Sequence, residues 1–145
     1  MLSRSLALMI GFLLFIAVAY AKPPVFETRA GAIRGYDTVA YFTQKKPVKG
    51  NDRYLLEWNG ATWYFANAEN RNHFKANPAK YAPQYGGYCA WAVANGYTAS
   101  TDPNAWRIVD GKLYLNYSVG VQEKWSQDIP GNITRGDKNW PDVLK

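Results

Sequence analysis

Residues 54–65 read Tyr54-Leu55-Leu56-Glu57-Trp58-Asn59-Gly60-Ala61-Thr62-Trp63-Tyr64-Phe65, two aromatic-rich runs on either side of Asn59-Gly60. Asn-Gly between strand-forming runs favours a two-residue type I′ turn, because both central positions need positive φ. The pattern recurs in Trp106-Arg107-Ile108-Val109 and Lys112-Leu113-Tyr114-Leu115, joined by Asp110-Gly111. Helices are expected around both hairpins. Asn67 caps one that runs from Ala68 to about Ala76 and stops before Pro78, since a proline disfavours helical geometry at Asn77. Ser118 caps another of about ten residues containing Val119, Val121 and Trp125, broken at Pro130-Gly131. Residues 132–140 read as a last short helix. The expected fold class is α+β: two β-hairpins forming a small antiparallel sheet with short helices packed on it.

Upstream, Asp37 in Tyr36-Asp37-Thr38-Val39-Ala40-Tyr41-Phe42 is placed to cap a short helical turn, with Val39, Ala40 and Phe42 facing the core. Lys45–Asn51 is a basic loop. Ala79-Lys80-Tyr81 is a short turn ended by Pro83, and Gly87–Ala94 reads as a strand or a tightly packed loop. No repeat, low-complexity tract or linker divides the chain. Residues 22–34 form an N-terminal lead, and residues 35–145 a single domain.

The first residues carry one positive charge at Arg4, an apolar run from Leu6 to Ala19, and small residues at Ala19 and Ala21. These are the parts of a secretory signal peptide over residues 1–21, cut after Ala21. A periplasmic or secreted location is expected, with membrane attachment only if the segment stays uncleaved; the run is at the short end for a spanning helix. The formal charge of +6 becomes +5 once Arg4 leaves. The basic residues are dispersed, with no stripe of the kind that binds nucleic acid. Cys89 is the single cysteine. It sits in Tyr85-Gly86-Gly87-Tyr88-Cys89-Ala90-Trp91, and with no second cysteine an internal disulfide is ruled out. In an oxidising space such a thiol is buried, bound to a metal or cofactor, or paired with another chain.

Four segments closely resemble the secreted YHS domain-containing proteins of Gram-negative bacteria. They are Gly35–Phe42, Asn59–Phe65, Asn77–Ala90 and Val109–Asn116. YHS domains are related to TRASH-type metal-binding modules, associated with copper-transporting ATPases and other heavy-metal proteins, whose cysteines lie on a hairpin and the following helix. Soft thiolates at close spacing suit copper(I) and zinc. This sequence departs from that pattern. It has Asp37-Thr38-Val39-Ala40 where the relatives have Asp-Pro-Val-Cys, and Phe65-Ala66-Asn67-Ala68-Glu69-Asn70 where they have Phe-Cys-Ser-x-x-Cys. The resemblance therefore implies the fold without the ancestral metal ligands.

What remains for chemistry is Cys89 as a thiolate ligand for copper or haem or as a redox thiol, weighed against a small packed core residue. His73, the one histidine, is either a second metal ligand or an exposed helical residue. Tyr36, Asp37, Tyr41, Tyr85, Tyr88 and Trp91 are candidates for lining a ligand pocket with Cys89, against an aromatic core with a capping aspartate. The tryptophans suit a carbohydrate surface, but their positions on hairpins and helix faces fit packing better. No oxyanion hole is legible, which weighs against an enzyme. The leading reading is a periplasmic, non-enzymatic YHS-type binding module that handles metal, copper first, through Cys89. A metal-free module docking an envelope protein and a thiol-dependent redox protein are the alternatives.

Overall fold

The computed structural model describes Leu14 and residues 20–145. The expected leader, apart from Leu14, Tyr20 and Ala21, lies outside the described residues. No helix among the described residues is long and apolar enough to cross a membrane.

Strands β1 (Glu27–Thr28) and β2 (Gly31–Ala32) form a minimal antiparallel pair. Helix α1 (Thr38–Thr43) follows, then the hairpin of β3 (Asn51–Trp58) and β4 (Ala61–Phe65). Helices α2 (Ala68–Ala76), α3 (Pro78–Tyr81) and α4 (Ala90–Ala94) lead to the second hairpin, β5 (Trp106–Val109) and β6 (Lys112–Leu115). Helices α5 (Val119–Ser126) and α6 (Ile129–Asn139) come after it. The architecture is α+β. Both hairpin turns have the expected backbone, with φ of 50° and 77° at Asn59 and Gly60, and 50° and 74° at Asp110 and Gly111. The expected caps also form. Asn67 Oδ1 accepts the Asn70 N–H at 2.8 Å, and Ser118 Oγ accepts the Val121 N–H at 3.2 Å.

Three local expectations are corrected. The two hairpins do not pair into one sheet; among the described residues there are three separate two-stranded sheets. The free edge of β4 is covered by the N-terminal lead. Glu27 Oε2 accepts the Thr62 N–H at 2.7 Å, and Gly31 lies so close to Thr62 O and the Tyr64 ring that a Cβ there would collide with both. A strand edge whose donors are taken by a side chain cannot add another strand. Second, residues 90–94 are helical rather than extended. Ala90, Ala92 and Ala94 favour helix, and the Asn116 side chain takes the Trp91 N–H of the first turn at 3.0 Å. Third, Pro130-Gly131 opens α6 as well as ending what precedes it. Proline is tolerated in a first helical turn, and Asp128 Oδ1 caps the turn from the Gly131 N–H at 3.0 Å.

The core has two parts. One gathers Trp63, Phe65 and Phe74 with Val39, Tyr41, Leu113 and Leu115, and draws in Val25, Ala32 and Ile33 from the lead. The other gathers Tyr85, Tyr88, Tyr114, Trp125 and Leu144. The lead is pinned at three points. Lys22 N–H donates to Leu144 O at 3.1 Å, Tyr88 Oη–H to Pro23 O at 2.9 Å, and Phe26 N–H to Gly86 O at 2.9 Å.

Candidate functional site

Asp37 is fully buried, and its carboxylate is saturated from inside the fold. Oδ1 accepts the N–H groups of Val39 and Ala40 at 2.9 and 3.2 Å, and Oδ2 accepts Ala66 N–H and Asn70 Nδ2–H, both at 2.8 Å. One side chain thus ties the start of α1, the exit of β4 and the first turn of α2. A buried carboxylate with four such donors is a structural hub. Beside it, the Thr38 hydroxyl donates to Tyr81 O.

The tyrosines are likewise engaged. Tyr41 Oη–H donates to Pro103 O at 2.7 Å, and Tyr85 Oη–H to Asp137 Oδ1 at 2.9 Å. Desolvation raises the ionisation of Tyr41, Tyr85 and Tyr88 above the ordinary phenol value. The hydrogen bond to Asp137, which the protonated phenol donates, reinforces this at Tyr85. Tyr36 is partly buried and bridges to Lys49.

Cys89 stands at the N-terminal edge of α4 with 1% of its surface exposed. Its Sγ–H faces Asn116 Oδ1 at 3.6 Å, and Sγ receives the Tyr117 N–H at 3.2 Å. Burial pushes the thiol up from its ordinary value, partly offset by the N–H groups of Ala92, Tyr117 and Trp91 that favour the thiolate. The sulfur borders a cavity of about 360 Å³ walled by Trp91, Tyr97, Tyr117, Val121 and Lys124.

The structure therefore brings Cys89 and Trp91 together and disperses the other candidates. Tyr85 lines a different cleft, while Asp37 and Tyr41 belong to the first part of the core. His73 does not border the cavity at Cys89. It is exposed on α2, with Nε2 at 3.5 Å from Glu69 Oε1 and its ring 6.2 Å from that of Tyr81. Among the described residues, no three histidine, cysteine, aspartate or glutamate side chains converge on a point that would hold a metal ion. The donor set at Cys89 is one thiol, which does not fit a metal held wholly by this chain, since soft-metal sites use several thiolate or imidazole donors.

Sequence reasoning missed two polar residues that matter here. Asn116, fully buried, joins Cys89 to the start of α4 through Oδ1, while its Nδ2 has no partner. Asn70 completes the Asp37 cluster. Both follow or open regular elements, and no local signal separates a buried amide from a surface one. The Tyr85–Asp137 pair was equally hidden, since it joins residues 52 apart in sequence.

The YHS domain family model matches residues 39–85. This stretch runs from the middle of the first turn of α1 through the first hairpin, α2 and α3, and this part of the chain is similar to YHS domains, a class associated with metal handling. The match includes His73 and ends short of Cys89. No curated protein and no solved structure matches the chain.

Proposed function

We propose that the chain is an exported, non-enzymatic binding module built on a YHS domain. The observation that carries this reading is the internal engagement of the buried polar side chains among the pocket candidates. Asp37 accepts four internal hydrogen bonds, and the Tyr41, Tyr85 and Tyr88 hydroxyls all donate inward, so none is free to move a proton to or from a substrate. The signal-peptide pattern of residues 1–21 supports export to the periplasm.

Copper(I) is the metal to test. With one soft donor, Cys89 would share the ion with ligands carried by whatever delivers it, so the site would act in transfer rather than in storage. The Tyr117 N–H at 3.2 Å from Sγ favours this use, because it stabilises negative charge on sulfur once the proton has gone. The test is competition between the exported protein and a chromogenic copper(I) chelator, with Cys89→Ser alongside. Tighter binding by the wild type supports the metal reading, and equal, weak binding by both proteins overturns it.

The second reading is a metal-free module that docks another envelope protein, with Cys89 as packing. Its specific support is the 1% exposure of Cys89. Native-state alkylation separates the two. Slow labelling that becomes rapid only in denaturant fits packing, and rapid native labelling removes it. The redox alternative needs a lowered thiol ionisation, opposite to the direction that burial sets here.

A further inference from the structure

A cleft of about 650 Å³ lies between the tip of the first hairpin, the turn at Gln84–Gly86 and the segment that follows α6. It is separate from the cavity at Cys89, and its volume is within the range of about 300–1,000 Å³ typical of small-ligand sites. Trp58 and Trp140 are half-buried on its wall. Each ring is packed against other aromatic rings. Trp58 meets Trp63 and Phe74 at centroid distances of 5.8 and 5.5 Å, and Trp140 meets Tyr85 and Tyr88, both at 6.1 Å. Aromatic platforms fixed in this way lose little entropy when a ligand stacks on them. The Trp63 indole donates to Trp58 O at 3.0 Å, whereas those of Trp58 and Trp140 bond to no described residue and are not sealed from solvent.

The polar groups on the same wall are of both kinds. Asp137 uses one carboxylate oxygen for Tyr85 and has the other without a partner among the described residues. Lys112 forms no ion pair among the described residues, and Gln84 and Asn59 add amides that donate and accept. A cationic ligand would meet Lys112, and an anionic one Asp137. An uncharged ring bearing hydroxyls is served by both, with a flat C–H face for the indoles and O–H groups for the carboxylate, amides and ammonium.

We infer that this cleft binds a neutral saccharide of one or two rings, stacked on Trp58 or Trp140 and hydrogen-bonded by Asp137, Gln84 and Lys112. Tyr20 also lines the cleft. It precedes the expected cut after Ala21, so in a chain cut there the remaining walls, Trp58, Trp140, Asp137, Gln84 and Lys112 among them, would form the seat. The inference rests on the reading of the chain as a binding module but is independent of Cys89.

The test is tryptophan-fluorescence and calorimetric titration of the exported protein with cellobiose, maltose, chitobiose and their monosaccharides. Free phenylalanine, a net-neutral zwitterion, and free lysine, a net cation, serve as controls. Saturable binding of at least one sugar is expected, weakened about tenfold or more in Trp140→Ala and in Asp137→Ala. Lys112→Ala, an exposed change, guards against the case in which Trp140→Ala unfolds the domain, and it too should weaken binding. Cys89→Ser should bind sugar like the wild type, so failure of the copper test leaves this one standing. No saturable response to any sugar overturns the inference, as does binding of the free amino acids in preference to the sugars.

Discussion

Asp37 is the side chain on which the most of the fold depends. Its four donors come from three elements, and two of the bonds, to Ala66 and Asn70, close the first hairpin onto α1 and α2. Asp37→Ala removes a helix cap and leaves several donors unpaired, so the expected loss is about 3 kcal/mol or more. Urea unfolding followed by tryptophan fluorescence measures it, and a loss below about 1 kcal/mol would mean that water replaces the carboxylate. Asp37→Asn should fall between wild type and alanine, since the amide keeps one acceptor and turns a donor toward donors. Sequence placed Asp37 correctly as a cap of α1 but not as the hub, because the Ala66 and Asn70 contacts arise only when the hairpin folds back. The same limit applies to Cys89. Sequence could say that the thiol had no partner cysteine, but its partners at Asn116 and Tyr117 lie across the second hairpin.

Elements governed by local rules were legible, and elements governed by packing were not. Asn59-Gly60, Asp110-Gly111, Asn67 and Ser118 act within a few residues of themselves, so turn and cap chemistry located both hairpins, α2 and α5. The separation of the hairpins into distinct sheets depends on Glu27 and Gly31 meeting β4, which no periodicity encodes. Residues 90–94 misled because a short apolar run fits a strand or a buried helix equally well. Glycines with the same backbone hand illustrate the contrast. Gly60 and Gly86 have φ of 77° and 61°, but a Cβ at Gly60 meets open space, whereas at Gly86 it would overlap the Pro24 carbonyl. Gly60→Ala should cost about 1–2 kcal/mol, the backbone penalty alone. Gly86→Ala should cost clearly more and release the lead, which thermal melts and limited proteolysis near Pro24 will report. Equal melting temperatures for the two variants would contradict this.

At the scale of the molecule, the YHS match is not an autonomous unit. Residues 39–85 share one part of the core with Val25, Ala32, Ile33, Leu113 and Leu115, and they lack Asp37. A peptide of residues 39–85 should therefore show no cooperative thermal transition by circular dichroism, while a chain of residues 22–145 should show one. The molecule should also share an alkaline weakness. Burial raises the Tyr41, Tyr85, Tyr88 and Cys89 ionisations, and that of Tyr114 to about 12, whereas their reference values are 10.0 for the phenols and 9.0 for the thiol. Below about pH 9 both folded and unfolded chains keep these protons, and the groups leave stability unchanged. Above it the unfolded chain loses protons that the fold retains, so unfolding becomes progressively easier as pH rises toward 12. Calorimetry should find a melting temperature that falls steeply beyond about pH 10, and a constant value up to about pH 11 would contradict the burial of these groups. The pinning of Lys22 to Leu144 at 3.1 Å has a consequence for rearranging the gene. A short glycine linker from residue 144 back to residue 22, with the chain reopened at the exposed Asn95-Gly96 turn, should give a circular permutant that folds to the same structure. In it the cleft and the Cys89 cavity would be carried by a chain whose covalent order differs but whose contacts do not.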